Sequence, residues 1–185
     1  MGNWITTYTG KHFDPVHPDA SLIDIRDIAH ALSLLCRGNG HVKTFYSVGQ
    51  HCINCAKEAS ARGLSRRMVL ACLLHDASEC YLSDVPSPFK KTLEGYRQQE
   101  DHLLDLIYGK FLGSVLTEDE QAALSEIDSA QLSYDLEELL GEKQEELPHL
   151  SQKPDYTLRP FREVEAEYLE IFDQYEKKLD ISTEA

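Results

Sequence analysis

No run of this chain comes near the roughly 20 apolar residues that a membrane-spanning helix needs, so no transmembrane segment is expected. The opening stretch MGNWITTYTGKHF lacks a basic segment followed by an apolar one, which argues against a secretory signal. Gly2 and Thr6 stand where a myristoylation site would have them, but two residues do not lift that match above chance. Basic residues are scarce as well: 18 Lys and Arg against 32 Asp and Glu leave a formal net charge of -14, and they gather in no stripe. A nucleic-acid polymer would meet repulsion over most of such a surface. A small phosphorylated ligand stays open, because a buried cation and two or three basic groups can dominate locally. Cysteine is present in an odd number, at 36, 52, 55, 72 and 80, mostly inside apolar helical stretches. That fits reduced core thiols and a cytoplasmic setting rather than a disulfide framework. Cys52-Ile-Asn-Cys55 has CxxC spacing without the second pair of a zinc knuckle or the strand before a thioredoxin-like motif. On motif grounds it carries no function.

Strand signals are nearly missing too. Only residues 4 to 14, WITTYTGKHFD, alternate around a Gly-Lys turn and read as a short β-hairpin. Everything else with a period is helical. Ile25, Ile28, Ala29, Leu32, Leu35 and Cys36 share one face of a helix that should stop at GNG, residues 38 to 40. Ser47 and Gln50 form a capping box that opens a helix running to Arg62, before Gly63. Ser65 can cap a helix over about 66 to 81, and the two prolines of SDVPSPFKK break the pattern after it. YRQQEDHLLDLIYGKFL is amphipathic, and Thr117 with Glu120 opens a helix that should reach Leu140. Residues 142 to 159 read as an exposed polar connection, and a last helix spans about 161 to 179. At 185 residues, without internal repeats, the chain reads as one all-α domain, a helical bundle carrying an N-terminal β-hairpin. Its size needs no staples for a core.

The chemistry gathers where the apolar pattern meets charge. On the helix over 66–81, Met68, Cys72, His75 and Glu79 share a face at i, i+4, i+7, i+11 spacing, and Asp76 lies one step round. Buried charges are costly unless paired or bound to a metal. An adjacent His-Asp pair can give one ion an imidazole nitrogen and a carboxylate oxygen, but two ligands hold it poorly and others are required. His51, one turn into its helix between Val48 and Cys55, is the first candidate. Asp128, with Leu124 and Leu132 at i-4 and i+4, is the second, and Asp135 competes with it one heptad on. Taken singly, His51, like His30, would be a hydrogen-bonded core histidine. Asp128 would be a surface acid, and His17 and His149 are loop residues. A shared metal accounts at once for three helices each aiming a costly polar group inward.

His51, then His75-Asp76, then Asp128 is the H…HD…D order of the HD-domain metal-dependent phosphohydrolases. The chain resembles their small 5′-deoxynucleotidase and dNTP-hydrolase branch in FYSVGQH (45–51), LLHDASE (73–79), DVPSPFK (84–90), GYRQQE (95–100) and the aspartate of EIDSAQL (126–132). These cover most of residues 24 to 140; the hairpin and the C-terminal helix lie outside them. The resemblance implies an HD-type bundle with one divalent ion, one of Mn, Co, Fe, Ni or Zn, held by His51, His75, Asp76 and Asp128. It implies proton handling by Glu79 and leaving-group or sugar contact by Asp84. Arg37, at the end of the first long helix, offers paired donors to phosphate, with helix-end dipole pairing as its ordinary alternative. Lys90 and His41 are further expected substrate contacts, against a solvated-loop role for Lys90. Gly38 stands where some relatives of this branch carry an aromatic residue, which puts ribose rejection in question. The expected activity is phosphate release from deoxynucleoside monophosphates. The alternatives are a dNTP triphosphohydrolase, using Arg37, His41, Lys43, Lys90 and Lys91 for the longer phosphate chain, and a non-catalytic nucleotide-binding domain. The expected partner is a small nucleotide, with no membrane and no nucleic-acid polymer; a homodimer stays open.

Overall fold

The computed structural model of the protein describes residues 2–180; Met1, which begins the MGNWIT stretch, and 181–185 lie outside the described residues. The hairpin forms from β1 (Ile5–Thr6) and β2 (His12–Phe13), antiparallel, with Ile5 opposite Phe13 and Thr6 opposite His12. Its turn uses Gly10 at φ +83°, a conformation open to a residue without Cβ. Helix α1 (Ile25–Leu34) is capped by the Asp24 side chain, which accepts from Arg26 N. The hairpin is pinned to it by buried Asp27, which accepts from Thr9 N at 2.6 Å and Thr9 Oγ1 at 2.9 Å. Phe13 is buried and stacks on Tyr81 with ring centroids 4.0 Å apart.

Helix α1 ends short of the GNG stretch. Cys36 bridges to Ser47 in an antiparallel pair, and Arg37 N donates to Tyr46 O at 2.9 Å. The strand-like pairing takes over the backbone groups that a longer helix would use, so Arg37 stands off the helix end rather than capping its dipole. Residues 38 to 40 follow as a turn, with Gly38, Asn39 and Gly40 all at positive φ.

Helices α2 (Val48–Ala61) and α3 (Arg66–Leu74) form the centre. The expected Ser47–Gln50 capping box is present at the start of α2, and Ser65 caps α3. The helix expected to run to residue 81 instead breaks at Leu74; residues 75–78 form turns, and α4 (Glu79–Leu82) resumes. The reason lies in two carbonyls. His75 Nδ1 takes Cys72 O at 2.8 Å, and the hydroxyl of Tyr168 takes Leu73 O at 2.6 Å. With Leu73 O occupied, Ala77 bonds three residues back, to Leu74 O, and Glu79 likewise takes Asp76 O.

A short turn of helix, α5 (Ser87–Lys90), punctuates the proline loop, and α6 (Tyr96–Leu112) buries Leu103, Ile107 and Tyr108. Helix α7 (Glu118–Asp135) opens on the expected Thr117–Glu120 box and runs through a wider, π-type turn over 136–140 to Gly141. Helix α8 (Phe161–Asp180) closes the bundle against α1, α2 and α3, while α7 packs on α2 and α3. Leu70, Leu73, Leu74, Tyr168 and Phe172 meet at the core, each leucine contributing about 1.5–3 kcal/mol by burial. The fold is therefore all-α with an N-terminal hairpin, as expected. No described helix is long and apolar enough to cross a membrane.

The expected connection over 142–159 is largely exposed, but its residues 150–158 are tied down by hydrogen bonds. They lie along α2 as a strap. Ser151 N and Gln152 N each donate to Glu58 at 2.9 Å. Asp155 N donates to Asn54 Oδ1 at 3.2 Å, Asn54 Nδ2 donates back to Asp155 O, and Gln50 Nε2 donates to Thr157 O at 3.1 Å. Gln50, Asn54 and Glu58 recur every four residues along α2 and are all buried, so each needs a partner that only another segment can bring.

Candidate metal centre

The break after α3 turns the first histidine-aspartate pair into the site. A carbonyl can only accept, so the 2.8 Å contact to Cys72 O fixes the proton of His75 on Nδ1. Nε2 then carries the lone pair, and it is buried without a hydrogen-bond partner. It lies 3.4 Å from Asp76 Oδ2 and 3.6 Å from Asp128 Oδ1. From α2, His51 Nε2 comes to 3.0 Å from Asp128 Oδ1 and 4.0 Å from Asp76 Oδ2. Ligands about 2.1 Å from a common ion stand about 3.0 Å apart at a right angle and about 3.4 Å apart at a tetrahedral one. The observed separations, 3.0 to 4.0 Å, surround such a point. The four expected ligands are thus brought together by three separate segments.

Two groupings of donor atoms among the described residues nonetheless cut across the expected one. His51, Cys55, His75 and Asp128 each place one donor atom within 4.8 Å of the others, whereas Asp76 groups with Cys52 and His75. Asp76 Oδ2 is drawn towards the cavity by Arg37 Nη1 at 3.2 Å. Asp128 is also less enclosed than its leucine neighbours suggest: its side chain is 41% exposed, and Leu132 stands at the cavity mouth.

The electrostatics favour a cation. Burial opposes positive charge on His51 and His75, but the acids and thiols around them prevail, and both pKa values lie well above the usual histidine range. Burial also opposes ionisation of Asp128, and the two imidazoles beside it drive its pKa far below the usual carboxylate value. The same negative surroundings that draw protons onto the two imidazoles when no ion is bound would attract a divalent ion, for which both rings must be neutral. The two imidazole nitrogens and the facing carboxylates suit a transition ion.

Asp135, the competing candidate, has a different place. Its Oδ2 accepts from His51 Nδ1 at 2.9 Å, and its Oδ1 accepts from Tyr156 Oη at 2.8 Å and Gln131 Nε2 at 3.3 Å. It holds the imidazole from behind, leaving Nε2 for the site. Tyr156, on the strap, was missed by sequence reasoning. The only sequence signal was the row Gln50, Asn54, Glu58, whose polarity on a buried face called for a partner.

Outside the ligand cluster lies a cavity of about 480 Å³. Asp76, Glu79, Asp84, Asp128 and Asp135 line it together with the cations Arg37 and Lys90, and Val42, Val85, Pro86, Leu136 and Leu139 give it an apolar wall. Glu79 is buried, with Oε2 unpartnered and Oε1 3.5 Å from Lys90 Nζ. Burial first, then repulsion from Asp76 and Asp84, pushes its pKa up to about 9, so it is protonated at neutral pH. Asp84 Oδ2 accepts from Gly38 N at 3.3 Å, and Gly38 adopts φ +58°, which a side chain would strain. Ser83, just before it, sits at φ +73° and ψ 158°. Arg37 is tied to Asp76 and, at 3.5 Å, to Asp135. Lys90 donates to Glu100 at 2.6 Å. His41 is exposed and stands off the cavity lining, as do Lys43, which bonds Glu138 O, and Lys91.

No protein-family model matches the chain. It is 37% identical over 111 residues to Uncharacterized protein YfdR of Escherichia coli (strain K12), a match over 59% of this chain and 58% of that protein. It is 32% identical over 162 residues to Uncharacterized protein RCAP_rcc00048 of Rhodobacter capsulatus, covering 84% of this chain and 82% of that protein. The chain thus spans a little over half the length of the first relative and most of the second.

Proposed function

The chain belongs to one family with the Rhodobacter capsulatus protein, and for a member of that family bearing this site we propose a metal-dependent phosphohydrolase of the HD type. Its proposed substrates are deoxynucleoside 5′-monophosphates, from which it releases phosphate. One observation carries the reading: His75 Nε2, buried without a hydrogen-bond partner, lies 3.4 Å from Asp76 Oδ2 and 3.6 Å from Asp128 Oδ1, and both acids line the cavity that Glu79, with its own unpartnered Oε2, also lines. Unpartnered buried polar atoms are costly unless something else meets them. A divalent ion and a phosphate ester would.

His51, His75, Asp76 and Asp128 would hold the ion, which when bound polarises phosphoryl oxygens and makes water acidic enough to attack near neutral pH. The chain's own residues supply the remainder. Arg37, fixed between Asp76 and Asp135, presents its guanidinium beside the position of the phosphate. Lys90 offers a second positive charge next to Glu79. Glu79, protonated at neutral pH, donates its proton to the departing sugar oxygen. Asp84, oriented by Gly38 N, accepts from a sugar hydroxyl. The wall of Val42, Val85 and Leu139 receives the nucleoside.

The cation count supports the monophosphate reading over the triphosphate one. Of the five basic groups considered for a longer phosphate chain, Arg37 and Lys90 line the cavity, and both already have acidic partners. A non-catalytic binding role gives no reason for a buried, protonated Glu79. The test is metal analysis of the purified protein followed by a nucleotide panel in Mn and Co buffers, with His75→Ala as control. Inorganic phosphate from dAMP is expected. Triphosphate from dATP, or binding without turnover across the panel, would displace the proposal.

A further inference from the structure

The Cys52-x-x-Cys55 pair has no part in the reading above, yet both thiols are free, buried and beneath the same cluster. Cys55 stands one helical turn after His51, on the same face of α2. Its Sγ is 3.6 Å from His51 Nε2, and its donor atom lies within 4.8 Å of those of His75 and Asp128. Sulfur and nitrogen ligands at bond lengths of about 2.3 Å and about 2.0 Å stand about 3.5 Å apart across a tetrahedral angle. The Cys55–His51 separation matches that value. A second observation is independent of the thiol: His75 Nε2, buried and lacking any hydrogen-bond partner, belongs to the same group of atoms.

We propose that Cys55 is itself a ligand of the cation, joining His51, His75, Asp76 and Asp128, so that the centre selects thiophilic divalent ions such as Zn²⁺ or Co²⁺ over Mg²⁺ and Mn²⁺. The inference rests on the cation centre proposed above and adds a soft donor that the HD resemblance does not include. Thiolate is the softer ligand type, and it favours such ions where carboxylate and water favour the harder ones. As the sulfur–metal bond forms, the S–H bond breaks and its proton passes to solvent. Asp128, partly exposed, lies between the cluster and the cavity and gives that proton a way out.

The alternative is that the Cys55 thiol only hydrogen-bonds His51 inside the core. Absorption spectra of the full chain titrated with Co²⁺ separate the two. Visible ligand-field bands together with a near-ultraviolet sulfur-to-cobalt charge-transfer band are expected for the unaltered protein. Cys55→Ala and Cys55→Ser should lose the near-ultraviolet band and weaken Co²⁺ binding by about tenfold or more, while Cys52→Ser should keep it. Ligand-field bands without charge transfer in the unaltered protein would overturn Cys55 ligation and leave a nitrogen–oxygen centre standing. A charge-transfer band that survives both Cys55 substitutions would overturn it too. Failure to take up Co²⁺ at all would remove this inference and the cation centre together. Where the Cys55 variants do not fold, Cys52→Ser decides: a charge-transfer band that it keeps supports Cys55 ligation, and a band that it loses overturns it.

Discussion

Helix α2 carries two buried polar faces, and they differ in who satisfies them. Gln50, Asn54 and Glu58 are met in full by the strap over 150–158 and by Arg62, which donates to Glu58 at 2.7 Å. His51, on the other face, joins a cluster in which His75 Nε2 lacks a partner and the acids outnumber the cations. Burial of polar groups is common to both. A shortfall of partners belongs to one alone, and that shortfall marks the face open to a ligand. The satisfied face does what buried networks do in folded domains: it fixes one segment against another.

Substitutions on each face should separate the two roles. His75→Ala should reduce phosphohydrolase activity about a thousandfold, the loss of several kcal/mol of transition-state stabilisation. Urea unfolding of chelator-treated protein should move by about 1 kcal/mol. An equal collapse of stability would make the two faces alike. Glu79→Gln should lower kcat about a hundredfold. Because the Glu79 pKa is raised to about 9, its acid form is present at neutral pH and is lost above that value. Activity should therefore fall on the alkaline side, and the Gln variant should lack that limb. The same sign governs folding of the metal-free protein. Glu79's contribution is complete below its ordinary value of 4.5 and fades as pH rises towards 9, so the Gln variant's urea midpoint should respond less to pH over that range.

On the satisfied face, Glu58→Ala should cost about 2–3 kcal/mol of stability by stranding Arg62 and two strap N–H groups. Metal stoichiometry should be unchanged; a lost metal would show that the faces are not separable. Tyr156→Phe tests the point where they meet. Its hydroxyl belongs to the strap, but its partner Asp135 supports His51. Cation affinity by calorimetry should fall about tenfold, with a stability change near 1 kcal/mol. Asp135→Glu should retain more affinity than Asp135→Ala, since it keeps a carboxylate for His51.

What could be read in advance divides along similar lines. The capping boxes at Ser47 and Thr117 and the hairpin are local signals, and each appears as expected. The cluster of His51, His75, Asp76 and Asp128 was legible because acids and imidazoles stood on apolar faces and their order matched a known family. The break after Leu74 was not. It depends on the Tyr168 hydroxyl, brought from 95 residues away to take Leu73 O. The strap was hidden for the same reason: 142–159 is polar by composition, and its order comes from partners on α2. Chain distance alone puts His41 near Arg37, but the left-handed turn at 38–40 carries it outward. Motif spacing points away from Cys55, because it asks about other cysteines, while the neighbours of this thiol are histidine and aspartate.

The meeting of Tyr168 with Leu73 has a bearing on what counts as the smallest working piece of this molecule. All of the proposed donors occur by residue 128, yet the backbone bend that turns imidazole 75 into the cluster is completed from α8. A fragment ending after α7 would own every coordinating atom and still lack the bracket that aims one of them. The last helix is thus an outer buttress of the centre.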